Sequence, residues 1–275
     1  MRKLGLILIL FLGASFAEAA DFSVSNYSPF QGDAVAVYFN DAKPQSVVFE
    51  NQYLPIFSYK NFNVSIFPIA ATKKPGNYPL KIVFSGNNIL EKQIKVKARK
   101  FPKIVLGIPE ELGLTPKKLV ANLQIGQKNI ESAVGKKTED IFFNKPFGLP
   151  LIDNRKISSW FGEIRKTGSE EIRHLGIDFA ANLGALVFAI NSGVVAKTYF
   201  DEIYGNSIII DHGHGIFSAY FHLDKIKAKE NTSVKKGDVI GLVGKTGYAT
   251  APHLHLSIKI SGVSVDPLRF ISLFK

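Results

Sequence analysis

Cysteine is absent from this chain of 275 residues, and methionine and tryptophan each occur only once. Without cysteine the protein forms no disulfide bonds and offers no thiolate to a metal ion. Any metal site must therefore use histidine, aspartate or glutamate. Phenylalanine, valine, isoleucine and tyrosine are plentiful, which favours strands over helices. Apolar residues make up 46% of the chain and charged residues 21%, a balance typical of a globular protein that buries a sizeable core.

Long apolar runs are also lacking, because no segment has the ~20 apolar residues that a transmembrane helix needs. The run Leu4–Leu12 follows the basic pair Arg2-Lys3 and precedes a small-x-small pattern that ends at Ala19. This arrangement predicts a secretory signal peptide over residues 1–19, and a retained membrane anchor is the alternative. We expect an exported protein, periplasmic or elsewhere in the cell envelope, with no stable membrane span after cleavage.

The charge balance is strongly basic. The formal charge of +11 becomes +10 when Arg2, Lys3 and Glu18 leave with the signal peptide. An exported protein rarely meets nucleic acid, so we expect no nucleic-acid partner and an attraction to anionic envelope surfaces instead. One basic run without acids is either a solvated strand edge or linker, or a binding patch. Its members are Lys95, Lys97, Arg99, Lys100 and Lys103.

Residues 20–100 carry short strand-like runs separated by turn signals, such as that at residues 74–77. Short strands at this spacing predict a small β-sandwich, which we expect to be immunoglobulin-like. The region contains no histidine, and nothing in it indicates a chemical reaction. The runs are Ala34–Phe39, Ser46–Phe49, Asn63–Ile66, Tyr78–Phe84 and Ile89–Val96.

Residues 101–146 are predicted to form a connector with one helix. Thr115 suits the N-cap and Pro116 the first helical position, and apolar residues then recur at roughly helical spacing. Gly126 weakens this prediction, and Gly135 is a natural end for the helix.

Residues 147–275 return to a β pattern in which short apolar runs are broken by glycines, which predicts an antiparallel sheet of barrel or sandwich type. The whole chain is therefore expected to be mainly β, with the sandwich first, the partly helical connector next and an antiparallel β domain last. The runs are Val187–Ile190, Val194–Thr198, Ser207–Ile210, Phe217–Phe221, Val239–Val243 and His253–Ile260.

Histidines are confined to this last region. Such clustering, with no cysteine available, indicates a metal or acid–base site. Side chains two apart on a strand share a face, so His253 and His255 can enter one cleft while Leu254 points to the core. Two surface histidines on a half-exposed strand are the alternative. The six histidines are His174, His212, His214, His222, His253 and His255.

The segment from His174 to Asp178 raises a problem of distance. Residues four apart on a straight strand stand ~13 Å apart, whereas bonds from zinc to nitrogen and oxygen are only ~2.0–2.2 Å long. The chain must bend between the two side chains, and Gly176 makes a bend cheap. His222 ends an apolar strand-like run, where a lone histidine is more often structural than catalytic.

Several short motifs follow one another along residues 147–271. They are Ser159-Trp160-Phe161-Gly162, HLGIDFAANLGALVFA, SGVVAKT, YGNSIIIDHGHG, YFHL, VKKGDVIGLVGKTG, PHLHLSI and VDPLRF. In this order and at this spacing they resemble the lysostaphin/LytM-type family of zinc metallopeptidases, which cleave peptide cross-links in bacterial peptidoglycan. Ala251 departs from the pattern, since the family usually has glycine before Pro-His-Leu-His.

The resemblance implies roles for five side chains in a zinc metallopeptidase domain over residues 147–275. The family's zinc ligands correspond to His174, Asp178 and His255, so we expect one Zn²⁺ per chain. Its catalytic histidines correspond to His222 and His253. Three protein ligands leave a fourth position for water, which is the arrangement of a catalytic zinc site.

The implied substrate is the peptide stem or cross-bridge of peptidoglycan, whose carboxylates suit a basic protein. The sequence leaves open which bond is cleaved, which catalytic histidine is the base, the oligomeric state and any regulatory protein partner. His212 and His214 are expected in a turn or in the groove. Three tyrosines are candidates for stabilising an oxyanion: Tyr199, Tyr204 and Tyr248.

Two other functions are weighed against the peptidase. One is a catalytically inactive family member that activates a wall amidase, although such members have typically lost zinc ligands that this chain keeps. The other is a barrel-sandwich envelope adaptor, which VKKGDVIGLVG alone would suit but which gives the histidines no role. Either should purify without stoichiometric zinc. We also hypothesise that the regions before residue 147 cover the groove and cause mild self-inhibition.

Overall fold

The computed structural model describes residues 22–40, 43–85, 88–105, 107–108, 113–135, 138–152 and 156–274. The predicted signal peptide, residues 1–19, lies outside these ranges. Neither of the two helices in the described ranges is long and apolar enough to cross a bilayer.

The N-terminal part consists of two antiparallel four-stranded sheets, ordered β1-β2-β6-β5 and β4-β3-β7-β8. All five predicted runs are strands or overlap strands, whereas β1, β4 and β5 are too short to show an alternation in the sequence. The strands are β1 Phe22–Val24, β2 Ala34–Phe39, β3 Ser46–Phe49, β4 Gln52–Leu54, β5 Phe57–Tyr59, β6 Phe62–Pro68, β7 Gly76–Val83 and β8 Ile89–Val96.

Strand β2 is buried on both of its faces. Val35, Val37 and Phe39 point between the two sheets and join their shared apolar core. Ala34 and Ala36 point the other way, into the core of the C-terminal part. The period of two along a strand produces this division. The immunoglobulin-like assignment and the domain boundaries stay predictions.

The connector contains one short strand, β9 Lys103–Val105, and one helix, α1 Pro116–Val134. The Thr115 side chain caps the helix by accepting the Lys118 N–H at 3.2 Å, as the sequence predicts. Gly126 does not interrupt the helix. A glycine is needed there because a Cβ would meet the Tyr204 ring at 2.8 Å. The absence of a side chain lets α1 approach the sheet closely.

The C-terminal part is built on a ten-stranded antiparallel sheet, which confirms the predicted antiparallel β architecture. Its main path is β10-β13-β20-β17-β16-β15-β18; β19 joins at β17, β14 at β19 and β21 at β20. A separate sheet is ordered β12-β11-β9. The elements are β10 Ile157–Ser159, β11 Ile164–Thr167, β12 Glu170–Arg173, β13 Ile177–Ala180, β14 Leu186–Phe188, β15 Gly193–Asp201, β16 Gly205–Gly213, β17 Ile216–Ile226, β18 Ser233–Val234, β19 Val239–Val243, β20 His253–Ile260, β21 Val263–Val265 and α2 Pro267–Ser272.

The two faces of this sheet differ in chemistry because side chains alternate along β17 and β20. On one face, Leu254 and Leu256 join the main core, together with aromatic side chains from α2 and its surroundings. On the other face, Phe217 and Phe221 pack against Ile130 of α1. The histidines of β20 share this second face, so the candidate site lies beneath or beside α1.

Candidate metal and catalytic centre

Strand pairing brings Asp178 and His255 together. Strands β13 and β20 are antiparallel neighbours, and these two residues are direct cross-strand partners. His174 reaches them because the chain passes close to β20 at Gly176, where a Cβ would lie 2.2 Å from His255 Nε2 and 2.5 Å from the Leu256 carbonyl oxygen. Gly176 is therefore required for space, a stronger reason than the cheap bend expected from the sequence.

The three candidate ligands meet at one point. His174 Nε2 lies 2.9 Å from Asp178 Oδ1 and 2.9 Å from His255 Nδ1. His255 Nδ1 lies 2.8 Å from Asp178 Oδ1. All three side chains are buried. Two imidazole nitrogens and one carboxylate oxygen form a donor set that suits zinc, whose tetrahedral ligand atoms stand ~3.3 Å apart.

Further hydrogen bonds orient these side chains. His174 Nδ1 lies 3.0 Å from the Trp160 carbonyl oxygen, so it carries the proton and leaves Nε2 free to face the centre. Asp178 Oδ2 accepts a hydrogen bond of 2.8 Å from Arg165. Arg165 also contacts Glu163 Oε1 at 3.2 Å. Sequence reasoning missed this arginine and glutamate; the Trp160 motif just before them was the available signal.

The surroundings set the protonation of the ligands. Burial by itself would raise the pKa of Asp178, but its interactions with the His174 and His255 rings hold it well below 3.8. Burial lowers the pKa of His255 to about 4. At neutral pH the group thus contains a carboxylate and an uncharged imidazole, the forms that bind divalent metals.

His222 and His253 lie beside this group. Their ring centroids are 4.7 Å apart, and the His222 centroid is 6.2 Å from that of His255. His253 Nε2 lies 3.9 Å from Asp178 Oδ1. The structure thus places all five predicted residues in one cluster, on three segments that are far apart in the sequence.

Each of the two extra histidines is held through Nδ1. His222 Nδ1 donates to the Thr246 carbonyl oxygen at 2.9 Å, and His253 Nδ1 donates to that of Ala251 at 2.8 Å. In the part of the chain that the structure describes, neither Nε2 atom has a hydrogen bond, which leaves both available for proton transfer. Burial lowers the pKa of His222 to about 3, so that ring is uncharged at neutral pH. His222 also has φ 61°, a left-handed conformation that is costly for a non-glycine residue and recurs at functional sites.

Comparison with known proteins finds a family match over the same stretch of the chain. Residues 172–267, which include the four histidines and the one aspartate of the cluster, match the sequence model of Peptidase family M23. This stretch of the chain matches an M23 peptidase domain.

Relatives of this stretch include proteins named as endopeptidases. Peptidoglycan DD-endopeptidase ShyC of Vibrio cholerae is 34% identical over 126 residues, which are 45% of this chain and 29% of that protein. DD-carboxypeptidase/endopeptidase Mpg of Neisseria meningitidis is 41% identical over 95 residues, which are 34% of this chain and 22% of that protein. The chain thus spans less than a third of the length of these curated relatives.

The fold is shared over a longer stretch. A crystal structure of a Pseudomonas aeruginosa protein assigned to peptidase M23 aligns with a TM-score of 0.66 at 25% identity. The alignment covers 90% of this chain and 96% of that one. The regions before the M23 domain therefore have counterparts in that structure.

Helix α1 forms one wall of the cavity beside the three candidate ligands. Leu119, Leu123 and Ile130 of α1 face His174 and His255 across this cavity. A second opening is lined by Asp178, His253 and the residues just before His253. The connector helix therefore forms part of the lining of the first cavity, which is the groove that the candidate ligands also line.

Two of the three candidate tyrosines, Tyr204 and Tyr248, line this cavity beside the candidate ligands, whereas Tyr199 does not. The Tyr248 hydroxyl is buried and has no hydrogen-bond partner among the described residues. Burial raises its pKa, so it stays protonated and able to donate. Tyr204 packs against Phe221 and under Gly126 of α1, which gives it a structural role.

Three further residues can be compared with expectation. Ala251, where the family usually has glycine, does not adopt a positive φ, so alanine fits the turn. His214 lies in the turn after β16, as expected, and stacks on Phe57 of the sandwich at 5.1 Å. His212 lies on β16 itself, and neither histidine lines the described cavities.

His212 is instead a core residue with an expected effect on stability. It is fully buried, donates through Nδ1 to the Ser192 carbonyl oxygen at 2.7 Å and contacts Ser218 Oγ at 2.8 Å. Burial lowers its pKa from 6.5 to about 4. Between these values the unfolded chain binds a proton that the folded chain does not, so the free energy of unfolding falls as the pH falls.

Denaturant unfolding across this pH range tests the effect of His212. The stability difference between the wild type and His212→Gln should shrink as the pH falls from 7 to 4, by about 3 kcal/mol at most. Lys128→Gln, an exposed change on α1, should follow the wild type. Parallel curves for wild type and His212→Gln would show that this buried imidazole does not titrate as described.

Proposed function

We propose that the protein is a zinc-dependent endopeptidase that hydrolyses peptide bonds in peptidoglycan stem peptides or cross-links. The convergence of His174, Asp178 and His255 beside two further histidines, in a cavity open to a ligand, is the observation that supports it. The names of the M23 relatives support the substrate class. We extend the proposal to export, because residues 1–19 have the pattern of a signal peptide.

The residues present fit a zinc ion. His174 Nε2, His255 Nδ1 and Asp178 Oδ1 would hold it, and the Trp160 carbonyl and Arg165 would fix the orientation of two of these ligands. Bound zinc supplies a Lewis acid that polarises the scissile carbonyl and acidifies water.

The chain's own groups supply proton transfer. The rings of His222 and His253 lie 4.7 Å apart, and their Nε2 atoms would take the proton of the attacking water and return one to the leaving amine. The Tyr248 O–H, which lacks a partner in the described structure, donates to the carbonyl oxygen as negative charge develops there. Together these groups stabilise charge on both sides of the scissile bond.

Digestion of purified peptidoglycan tests the proposal. The protein should release peptide-cleaved muropeptides, read by mass spectrometry, and a chelator should abolish them until zinc is restored. Release of sugar-cleaved products, or of the same products in the presence of chelator, would contradict it. A protein that releases nothing alone but accelerates an added amidase would be an activator, and a zinc-free protein inert in both assays would fit the envelope adaptor.

We also propose that α1, and not the sandwich, restrains the enzyme. The sandwich contacts the far side of the sheet, where Tyr38 donates to the Leu273 carbonyl oxygen at 2.7 Å and Asp33 pairs with Arg269 at 3.0 Å. The residues that narrow the groove, Leu119 and Leu123, belong to α1. The earlier hypothesis of self-inhibition therefore applies to the connector helix.

Substitution of Gly126 tests this restraint. In Gly126→Leu the side chain meets the Tyr204 ring, so α1 is displaced while its helix propensity rises. We expect kcat/KM on peptidoglycan to rise several-fold. Lys128→Leu, exposed on the same helix, is the matched control and should leave the rate unchanged. An unchanged or lower rate for Gly126→Leu, with its zinc content intact, would show that α1 does not restrain the groove.

A further inference from the structure

The face of β20 that carries the candidate ligand His255 continues with two polar residues. His255, Ser257 and Lys259 alternate with core residues, so all three point to the side of the sheet under α1. Ser257 Oγ donates to the Leu175 carbonyl oxygen at 2.7 Å, which occupies that hydroxyl. Lys259 is the charged group on this floor.

Lys259 is a buried cation with little to pair it. Lys259 is only 5% exposed. Its Nζ donates a hydrogen bond of 2.8 Å to Ser264 Oγ, which uses one of the three N–H donors of the ammonium group. Within the described residues no carboxylate lies within 4.0 Å of it. The acid that acts on it electrostatically is Glu131 of α1. Lysine is rarely buried without a partner, because burying an unpaired charge is costly.

Lys259 and Ser264 line the same cavity as His174 and His255. Four residues along a strand span ~13 Å, so Lys259 lies about that far from His255 along the floor. An extended peptide advances ~3.3 Å per residue, so a group bound by Lys259 belongs to a residue about four positions or fewer from the scissile bond.

We propose that Lys259 and Ser264 form a subsite that binds a free carboxylate of the substrate peptide. The ammonium supplies the charge and two unused donors, and the Ser264 hydroxyl fixes its position. The ligand class is a peptide carboxylate, because the cavity also contains the candidate hydrolytic centre. The two arginines in its lining are already bonded, Arg165 to Glu163 and Asp178 and Arg173 to the Gly162 carbonyl oxygen, which leaves Lys259 as the cation for a ligand. This inference rests on the proposed function and adds a preference for acidic over amidated stems.

Paired substrates test the subsite. The probes are cross-linked muropeptide dimers with free stem carboxylates and the same dimers with those carboxylates converted to primary amides. The zinc-loaded wild type should cleave the acid form with a kcat/KM roughly 10- to 100-fold higher, mainly through KM. In Lys259→Met the ratio should collapse toward one, and Lys259→Arg should restore part of it. Lys225→Met, an exposed change on β17, should keep the wild-type ratio.

The outcomes separate this inference from the proposed function. A wild type that cleaves both forms equally well, or a Lys259→Met enzyme that slows on both while keeping their ratio, would overturn the subsite and leave the peptidase standing. If the wild type cleaves neither dimer, calorimetry measures how tightly it binds each of them. Tighter binding of the acid, lost in Lys259→Met, then supports the subsite although the hydrolysis proposal fails; equal binding overturns both.

Discussion

Replacing His255 with alanine should abolish the chelator-sensitive products of peptidoglycan digestion, with a loss of at least ~10³-fold in rate. His255 Nδ1 lies within 2.9 Å of both other donor atoms, so its removal opens the centre and leaves two ligands. The zinc content should fall together with the rate. Muropeptide analysis by mass spectrometry and metal analysis of the same sample measure the two effects.

The control for His255 is another histidine of the domain. His214 lies outside the described cavities and has φ 49°. Asparagine tolerates this conformation, so His214→Asn should fold and should keep both zinc and activity. If His255→Ala kept its chelator-sensitive hydrolysis, His255 would not be a metal ligand. The proposed ligand set would then be wrong.

Replacing either His222 or His253 should separate binding from chemistry. Their free Nε2 atoms are proposed to transfer protons, so each substitution should lower kcat by ~10²- to 10⁴-fold. The zinc content should stay near the wild-type level, because neither residue belongs to the three donors that converge. His222→Asn is preferable to alanine at φ 61°, and His253→Ala suits the strand.

A double substitution shows whether the pair acts as one unit. If both rings serve the same proton transfers, the His222→Asn, His253→Ala enzyme should be about as slow as the slower single variant. Multiplied losses would indicate independent roles. Loss of zinc in either single variant would instead make that residue a ligand and contradict the division of roles proposed here.

Local features of this protein were predictable because they depend on short spacings. Alternation of side chains placed His253 and His255 on one face and Leu254 in the core, as the structure has them. The cap at Thr115 followed from one side chain next to a proline. In each case neighbouring residues determine the outcome, so no knowledge of the distant chain was needed.

Contacts between distant segments were not predictable from spacing. The direct pairing of Asp178 with His255 depends on which strands are neighbours, and only the family resemblance indicated it. The support from Arg165 and the spatial need for Gly176 depend on the same packing. The position of α1 over the groove likewise depends on the close contact at Gly126, which the sequence presented as a weakness of the helix.

Metal analysis of residues 20–275, the chain without the predicted signal peptide, tests the central claim most directly. Purified without chelator and measured by mass spectrometry of the elements, it should contain about one zinc per chain. His174→Ala, Asp178→Ala and His255→Ala should each release most of that zinc, while His222→Asn keeps it. A wild type without zinc that also fails to take it up, or full zinc in all three ligand variants, would contradict the account.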